Sequence, residues 1–209
     1  MNNDYKNIIL KNIKPTTGLL NSKAGCPVCN AIMDYEFDLL SKIQYEIHNN
    51  ENIRKEVAKE GGFCDFHFRQ FKKIASGLTN IKLLKALIES ESYSQERFEI
   101  KCRLCKQVDK FEHTIIEAQY ELLKDVSFKQ IFCDTTGLCF DHFNQVISIC
   151  DNEDIKKWLK KIHIEQIKRM QSEFEYMLQF KSFYEIDRGK RSLINTMIEK
   201  FAGRKTHAL

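Results

Sequence analysis

The sequence predicts an all-α protein: a duplicated helical domain with two pseudo-equivalent Cys3His metal sites and a long C-terminal helix. Three observations support this prediction. The 209 residues include only 2 Pro and 8 Gly, so long stretches contain no helix breaker. Apolar residues recur at helical spacing along most of these stretches. A pattern of three cysteines and one histidine also occurs twice, almost in register.

The first part of the chain begins with a polar segment and continues as helices. Residues 1–23 are rich in Asn and Lys and predict a flexible arm with a short element around Ile8–Leu10. Gly61–Gly62 is a typical C-terminal stop, and Ser76–Gly77 closes the next helix. Thr79 or Asn80 is a candidate N-cap. Together these signals predict helices over 31–49, 53–60, 64–75 and 81–97.

The second part repeats this order and then extends it. Asn152 is a candidate N-cap, and Gly203 is a candidate stop for the last helix. The predicted helices cover 106–124, 128–132, 139–150, 153–180 and 192–201. The predicted organisation is a flexible arm over 1–23, a first repeat over 24–99, a second repeat over 100–152, and C-terminal helices over 153–209 that pack across the repeats.

The internal repeat separates two kinds of cysteine. A shift of 76 residues aligns both Cys-x-x-Cys pairs, and a shift of 75 aligns both Cys-x-x-His pairs. The remaining Cys133 and Cys150 align with Ala58 and Ala75, which indicates packing, because free cysteine often serves as a small buried residue. The predicted metal ligands are therefore Cys26, Cys29, Cys64, His67, Cys102, Cys105, Cys139 and His142.

Three thiols and one imidazole form a ligand set typical of a closed tetrahedral zinc site. The sequence thus predicts two Zn²⁺ per chain. An iron–sulfur cluster is the alternative cofactor, since His can replace Cys in such clusters. Thiol-redox chemistry at Cys26–Cys29 is a further alternative, although that motif normally follows a strand.

The pairing of the ligands has two solutions. We predict the simpler one, which groups Cys26 and Cys29 with Cys64 and His67 and places the second set in another site. In the other solution the halves are exchanged, so that Cys26 and Cys29 meet the Cys139–His142 pair. The equivalence of the repeats leaves this exchange open.

Composition restricts the choice of function. A net charge of +4 makes nucleic acid an unfavoured partner, although a nucleic-acid-binding zinc protein remains an alternative. We find neither a secretion signal nor an apolar run that could span a membrane, which predicts a cytoplasmic protein with reduced thiols. No small-molecule substrate is identifiable. Because a catalytic zinc needs an open coordination position, the sequence favours a binding or scaffold module with a protein partner over an enzyme.

The paired motifs carry a resemblance to a known group of proteins. The sequence resembles an uncharacterised bacterial family, a domain of unknown function, of duplicated helical proteins with paired Cys-x-x-Cys and Gly-x-Cys-x-x-His motifs. The run Phe183–Arg188 is also similar to an aromatic–Asp–Arg stretch of that family. The resemblance implies the fold and two metal sites but no activity. The motif positions are Cys26, Cys29, Gly62, Cys64, His67, Cys102, Cys105, Gly137, Cys139 and His142.

Overall fold

The protein is all-helical throughout the residues that the computed structural model describes, which are 3–13, 25–90, 102–186 and 188–203. Ten α-helices and one short 3-10 turn, Phe183–Glu185, make up this part of the chain. The helices are α1 Asn3–Asn12, α2 Pro27–Asn49, α3 Glu51–Lys59, α4 Asp65–Ile74, α5 Gly77–Glu89, α6 Arg103–Leu122, α7 Val126–Cys133, α8 Phe140–Ile149, α9 Glu153–Met177 and α10 Arg188–Ala202.

Helix N-caps recur at equivalent places in the two predicted repeats. Asn50 caps α3 and Asp125 caps α7, each through a side-chain oxygen that accepts from backbone N–H groups. Ser76 and Asn152 cap α5 and α9 in the same way. The two members of each pair lie 75 and 76 residues apart. These caps satisfy N–H groups that have no partner within the helix, and they explain why the same order of helices occurs twice. Origin by duplication stays a prediction.

The chain forms two compact units. One contains the described residues of 1–31 and 112–207, and the other contains those of 32–111. The boundaries fall inside α2 and inside α6, and not at the predicted repeat boundaries. The core of the 32–111 unit includes Ile47, Phe71 and Leu83, all fully buried. In the other unit, α10 packs against α8 and α9.

Two predicted elements differ from the structure. Residues 3–12 lie in the predicted flexible arm but form a helix. The reason is that Ile9 and Ile13, one turn apart, are both buried. The rest of that arm lies outside the described residues. Helix α5 starts at Gly77 and not at Ile81, since Ser76 Oγ accepts from the backbone N–H of Thr79 at 3.1 Å and caps it. Its predicted continuation to residue 97 lies largely outside the described residues.

No helix in the described part of the chain has both the length and the apolar character that crossing a membrane requires.

Candidate metal centres

The unit built from both ends of the chain contains one group of four potential ligands, Cys26, Cys29, Cys139 and His142, which we call the Cys26 centre. Their ligating atoms all lie within 4.8 Å of one another. Nδ1 of His142 is 3.5, 3.3 and 3.1 Å from the sulfurs of Cys26, Cys29 and Cys139. The sulfurs of Cys29 and Cys139 are 3.7 Å apart.

Two helix starts bring these ligands together. Cys26 directly precedes α2, and Cys29 lies in its first turn behind Pro27, a residue that suits the first helical position. Cys139 is the N-cap of α8 with an extended backbone, and its sulfur accepts from the backbone N–H of His142 at 3.5 Å. All three sulfurs therefore lie at helix N-termini, where the helix dipole favours negative thiolates.

The 32–111 unit contains a second group, Cys64, His67, Cys102 and Cys105, which we call the Cys64 centre. The three sulfurs are 3.5 to 3.7 Å apart. Nδ1 of His67 is 3.2 to 3.4 Å from each sulfur. Cys64 is the N-cap of α4, and Cys102 precedes α6, so this centre too is built from two helix starts.

Both groups have the dimensions of a coordination tetrahedron. Zn–S bonds of about 2.3 Å and Zn–N bonds of about 2.0 Å place neighbouring sulfurs about 3.8 Å apart and nitrogen about 3.5 Å from each sulfur. The observed separations are within a few tenths of an ångström of these values. Each group could therefore hold one ion.

The predicted within-repeat pairing of Cys26 and Cys29 with Cys64 and His67 is wrong, because the structure has the exchanged arrangement. The reason is the length of the first helix of each repeat. Helix α2 has 23 residues and is about 34 Å long at 1.5 Å per residue. It therefore carries the chain far from Cys29 before the short connection into α3. The 20 residues of α6 have the same effect on Cys105.

Each histidine is oriented by a buried glutamate that the sequence reading missed. Nε2 of His67 lies 2.8 Å from Oε1 of Glu36, and Nε2 of His142 lies 3.1 Å from Oε1 of Glu112. The carboxylates accept the Nε2–H protons, so Nδ1 of each ring is the atom presented to a metal. A signal existed: Glu36 and Glu112 are 76 residues apart, the same shift that aligns the Cys-x-x-Cys pairs.

Without a metal, the Cys64 centre favours a protonated His67 beside a deprotonated Cys102. Burial would lower the pKa of His67, but hydrogen bonds to Cys102, Glu36 and Cys64 raise it to about 10. Burial would raise the pKa of Cys102, but the hydrogen bond with His67 helps lower it to about 6. Burial and the neighbouring thiols raise the pKa of Cys105. The cluster then has a thiolate–imidazolium pair, and a metal must displace protons.

The Cys26 centre has the same character at greater depth. Burial would lower the pKa of His142, but the Cys26 charge and the Cys139 hydrogen bond raise it to about 12. Burial would raise the pKa of Cys26, yet hydrogen bonds from Cys139 and Cys29 hold it well below its ordinary value. Hydrogen bonds with Cys139 and Cys26, together with burial, raise the pKa of Cys29. Each cluster therefore stabilises one thiolate, at Cys26 or Cys102, which is the form in which cysteine binds a metal.

Gln145 connects the Cys26 centre to the surface. Its Nε2 donates to Glu112 at 3.3 Å and to the exposed Asp141 at 3.0 Å. These two carboxylates and His142 also form a group of potential ligands. Because Nε2 of His142 already faces Glu112, the group supports the histidine and is part of the same centre.

Cys133, Cys150, His48 and His163 lie outside the two centres. The sulfur of Cys150 donates to the carbonyl of Asn152 at 3.3 Å, and burial raises the pKa of Cys133. Burial lowers the pKa of His163 to about 4, and its ring stacks on Phe143 at 4.0 Å. Nδ1 of His48 lies 2.8 Å from the hydroxyl of Thr79.

Comparisons with protein-family models, curated proteins and solved structures returned no match to this chain. The resemblance to a family with paired cysteine motifs therefore stays a prediction, and the chemistry of the centres must be argued from their geometry.

Proposed function

We propose that this chain is a zinc protein that holds one Zn²⁺ in each centre and acts as a binding or scaffold module for another protein. One observation carries the proposal. In both centres three sulfurs and one histidine Nδ1 form a tetrahedron of the size that a single ion requires, and a buried glutamate fixes the imidazole. Carboxylate–histidine–metal triads of this kind support zinc sites in general.

The ligand spacing favours a single ion over an iron–sulfur cluster. Sulfurs 3.5 to 3.7 Å apart are the edges of a tetrahedron around one atom. A cluster places several iron and sulfide atoms between its ligands and would need the thiolates farther apart. Four protein ligands also fill a zinc ion's usual coordination shell, which supports a structural role, because catalytic zinc keeps a position for water or substrate.

The metals would hold distant parts of the chain together. Cys29 and Cys139 are 110 residues apart in sequence, and Cys64 and Cys105 are 41 apart. Closing such long loops restricts the unfolded chain, and metal binding in small helical cores contributes directly to folding. A helical surface that bound metal ions hold in a fixed arrangement suits a scaffold.

The test is metal content of anaerobically purified protein, beside the visible spectrum after replacement by Co²⁺. We expect two zinc per chain and the intense bands of tetrahedral cobalt–thiolate sites. Cys102→Ala and Cys26→Ala should each lose one zinc, whereas the matched variant Cys133→Ala should retain two. Iron with sulfide, or less than half a metal per chain, would overturn the proposal.

The scaffold role has a separate readout. Zinc-loaded protein used as bait should retain a specific protein partner, and the same bait treated with a chelator should lose it. Retention that is equal with and without zinc would contradict a metal-stapled binding surface.

A further inference from the structure

The two centres differ in their access to solvent although their ligand types are identical. In the Cys26 centre all three cysteines and His142 are at most 5% exposed. In the Cys64 centre Cys102 and His67 are 2% and 3% exposed, but Cys64 and Cys105 are only partly buried. Two cysteines of the Cys64 centre are therefore partly accessible from solution, whereas every cysteine of the Cys26 centre is buried.

Packing explains the protection of the Cys26 centre. Helix α10 lies against α8, which carries His142, and the ring of Phe201 is 4.9 Å from that of Phe140. Lys200 is 4% exposed, and its Nζ donates to the carbonyl of Thr136 at 2.5 Å. These contacts place the C-terminal helix over the segment that supplies Cys139 and His142.

Charge adds to this protection. Burial lowers the pKa of Lys200 to about 8, while the thiolates of Cys26 and Cys139 act in the opposite direction, so the ammonium lies within electrostatic reach of both sulfurs. Three thiolates around Zn²⁺ leave a net negative charge that a buried cation offsets.

The packing of the Cys64 centre is less complete. Cys64 and Cys105 lie at the edge of the hydrophobic core, packed against it but not enclosed.

We propose that the Cys64 centre is an oxidant-responsive modification site, in which a peroxide converts Cys64 and Cys105 to a disulfide and releases zinc, while the Cys26 centre keeps its metal. This inference rests on the proposed zinc function. The sulfurs of these two partly buried cysteines are 3.6 Å apart and must approach to about 2.05 Å to form the bond. They belong to different helix starts, so the disulfide would still tie α4 to α6.

The chemistry balances with hydrogen peroxide as the oxidant. The thiolate of Cys64 or Cys105 attacks one peroxide oxygen, the O–O bond breaks, and hydroxide departs, so that the attacking sulfur becomes a sulfenic acid. The second thiolate attacks that sulfur, the S–S bond forms, and a second hydroxide leaves. The two sulfurs give up two electrons in total, two protons convert the hydroxides to water, and zinc remains Zn²⁺. With only Cys102 and His67 left as ligands, the ion dissociates.

The experiment uses the full chain loaded with two zinc, whose content is measured first so that failure of the zinc proposal is seen separately. Hydrogen peroxide is added, released zinc is followed with a colorimetric chelator, and cysteines are mapped by mass spectrometry. We expect one equivalent to leave at least tenfold faster than the other, with a Cys64–Cys105 disulfide. Thiol reductant plus zinc should restore the second equivalent.

Matched variants assign the phases. Cys64→Ser should abolish the fast phase, and its counterpart Cys139→Ser should keep the fast phase and lose the slow one. Differential alkylation of the unmutated protein gives a readout that needs no variant, with Cys64 and Cys105 labelled before Cys26, Cys29 and Cys139. Equal release from both centres, earlier release from the Cys26 centre, or a disulfide between Cys26 and Cys29 would overturn the inference.

Discussion

Oε1 of Glu36 lies 2.8 Å from Nε2 of His67, and this contact leaves Nδ1 as the ring nitrogen that points toward the thiolates. Glu36 is 7% exposed and His67 is 3% exposed, so water cannot easily replace either partner. A buried carboxylate costs free energy unless it has a partner. The pair therefore satisfies the glutamate and fixes Nδ1 toward the three sulfurs at the same time.

Removing the charge of this glutamate should weaken metal binding without removing a ligand. Glu36→Gln preserves shape but loses the charge-assisted hydrogen bond, so we expect the Cys64 centre to bind zinc about 10- to 100-fold more weakly. The measurement is competition with a chelator of known affinity. The exposed Asp38 of the same helix provides the control Asp38→Asn, which should leave both affinities unchanged. An unaltered affinity in Glu36→Gln would refute the orienting role.

Gly137 should tolerate no side chain. It has a φ of +73°, and an added Cβ would lie 1.9 Å from Oε1 of Gln166. Gln166 is 1% exposed and donates to the carbonyl of Phe132 at 3.0 Å, so it cannot move away freely. We expect Gly137→Ala to lower the free energy of unfolding by about 2–4 kcal/mol, from backbone strain and overpacking together. Urea denaturation of the zinc-loaded protein measures this loss.

Two other glycines separate the causes. Gly203 has a φ of +66° with open space around a Cβ, and Gly77 lies at the start of α5 with open space and no positive φ. Gly203→Ala should cost about 1–2 kcal/mol from strain alone, and Gly77→Ala should be neutral or stabilising by up to about 1 kcal/mol. Equal effects of all three substitutions would contradict the steric account of Gly137.

Much of the fold is predictable from local signals. The long helix after Asn152 begins where the capping rule places it, because the Asn152 side chain accepts from the backbone N–H groups of Asp154 and Ile155. All eight predicted ligands also enter the two clusters, since Cys-x-x-Cys at a helix start and Cys-x-x-His at an N-cap are local arrangements. Such features need only neighbouring residues to form.

The pairing of the clusters needed information that local signals do not carry. Cys64 and Cys139 occupy equivalent N-cap positions, so either could complete a site with Cys26 and Cys29. The 23 residues of α2 separate Cys29 from the start of α3 by the length of a long helix, and this length favours the pairing of Cys26 and Cys29 with Cys139. The burial of Glu36 could not be predicted from its own helix, because charged residues are common there. Only the equivalent Glu112 in the second repeat distinguishes Glu36 from the other charged residues.

Zinc removal should destabilise the whole chain. A site with free zinc about 1,000-fold above its dissociation constant gains about 4 kcal/mol. For a chain of this size each kcal/mol shifts the melting temperature by about 2–4 °C, so stripping one centre should lower it by roughly 10 °C. Circular dichroism at increasing temperature, before and after treatment with a chelator, tests this. Cys102→Ala should reproduce the loss of one centre, and a melting temperature insensitive to zinc would exclude a structural metal.

Zinc affinity of the Cys64 centre should rise steeply with pH. When no metal is bound, the His67 pKa is raised from 6.5 to about 10, so its imidazolium contributes stability fully below about pH 6.5 and loses it as pH rises through about 10. Zinc needs the neutral ring, and it also needs the thiolate of Cys105, whose pKa is raised. At neutral pH binding must therefore expel at least these two protons.

The expected consequence is an apparent affinity that increases at least about 100-fold per pH unit between pH 6 and 8, because at least two protons leave per ion. Calorimetric titration in two buffers of different ionisation enthalpy counts these protons directly. Cys102 contributes little to the count at pH 7, since its pKa is lowered to about 6. Release of clearly fewer than two protons per zinc would show that His67 and Cys105 are not both ligands, because each must lose its proton to bind the metal.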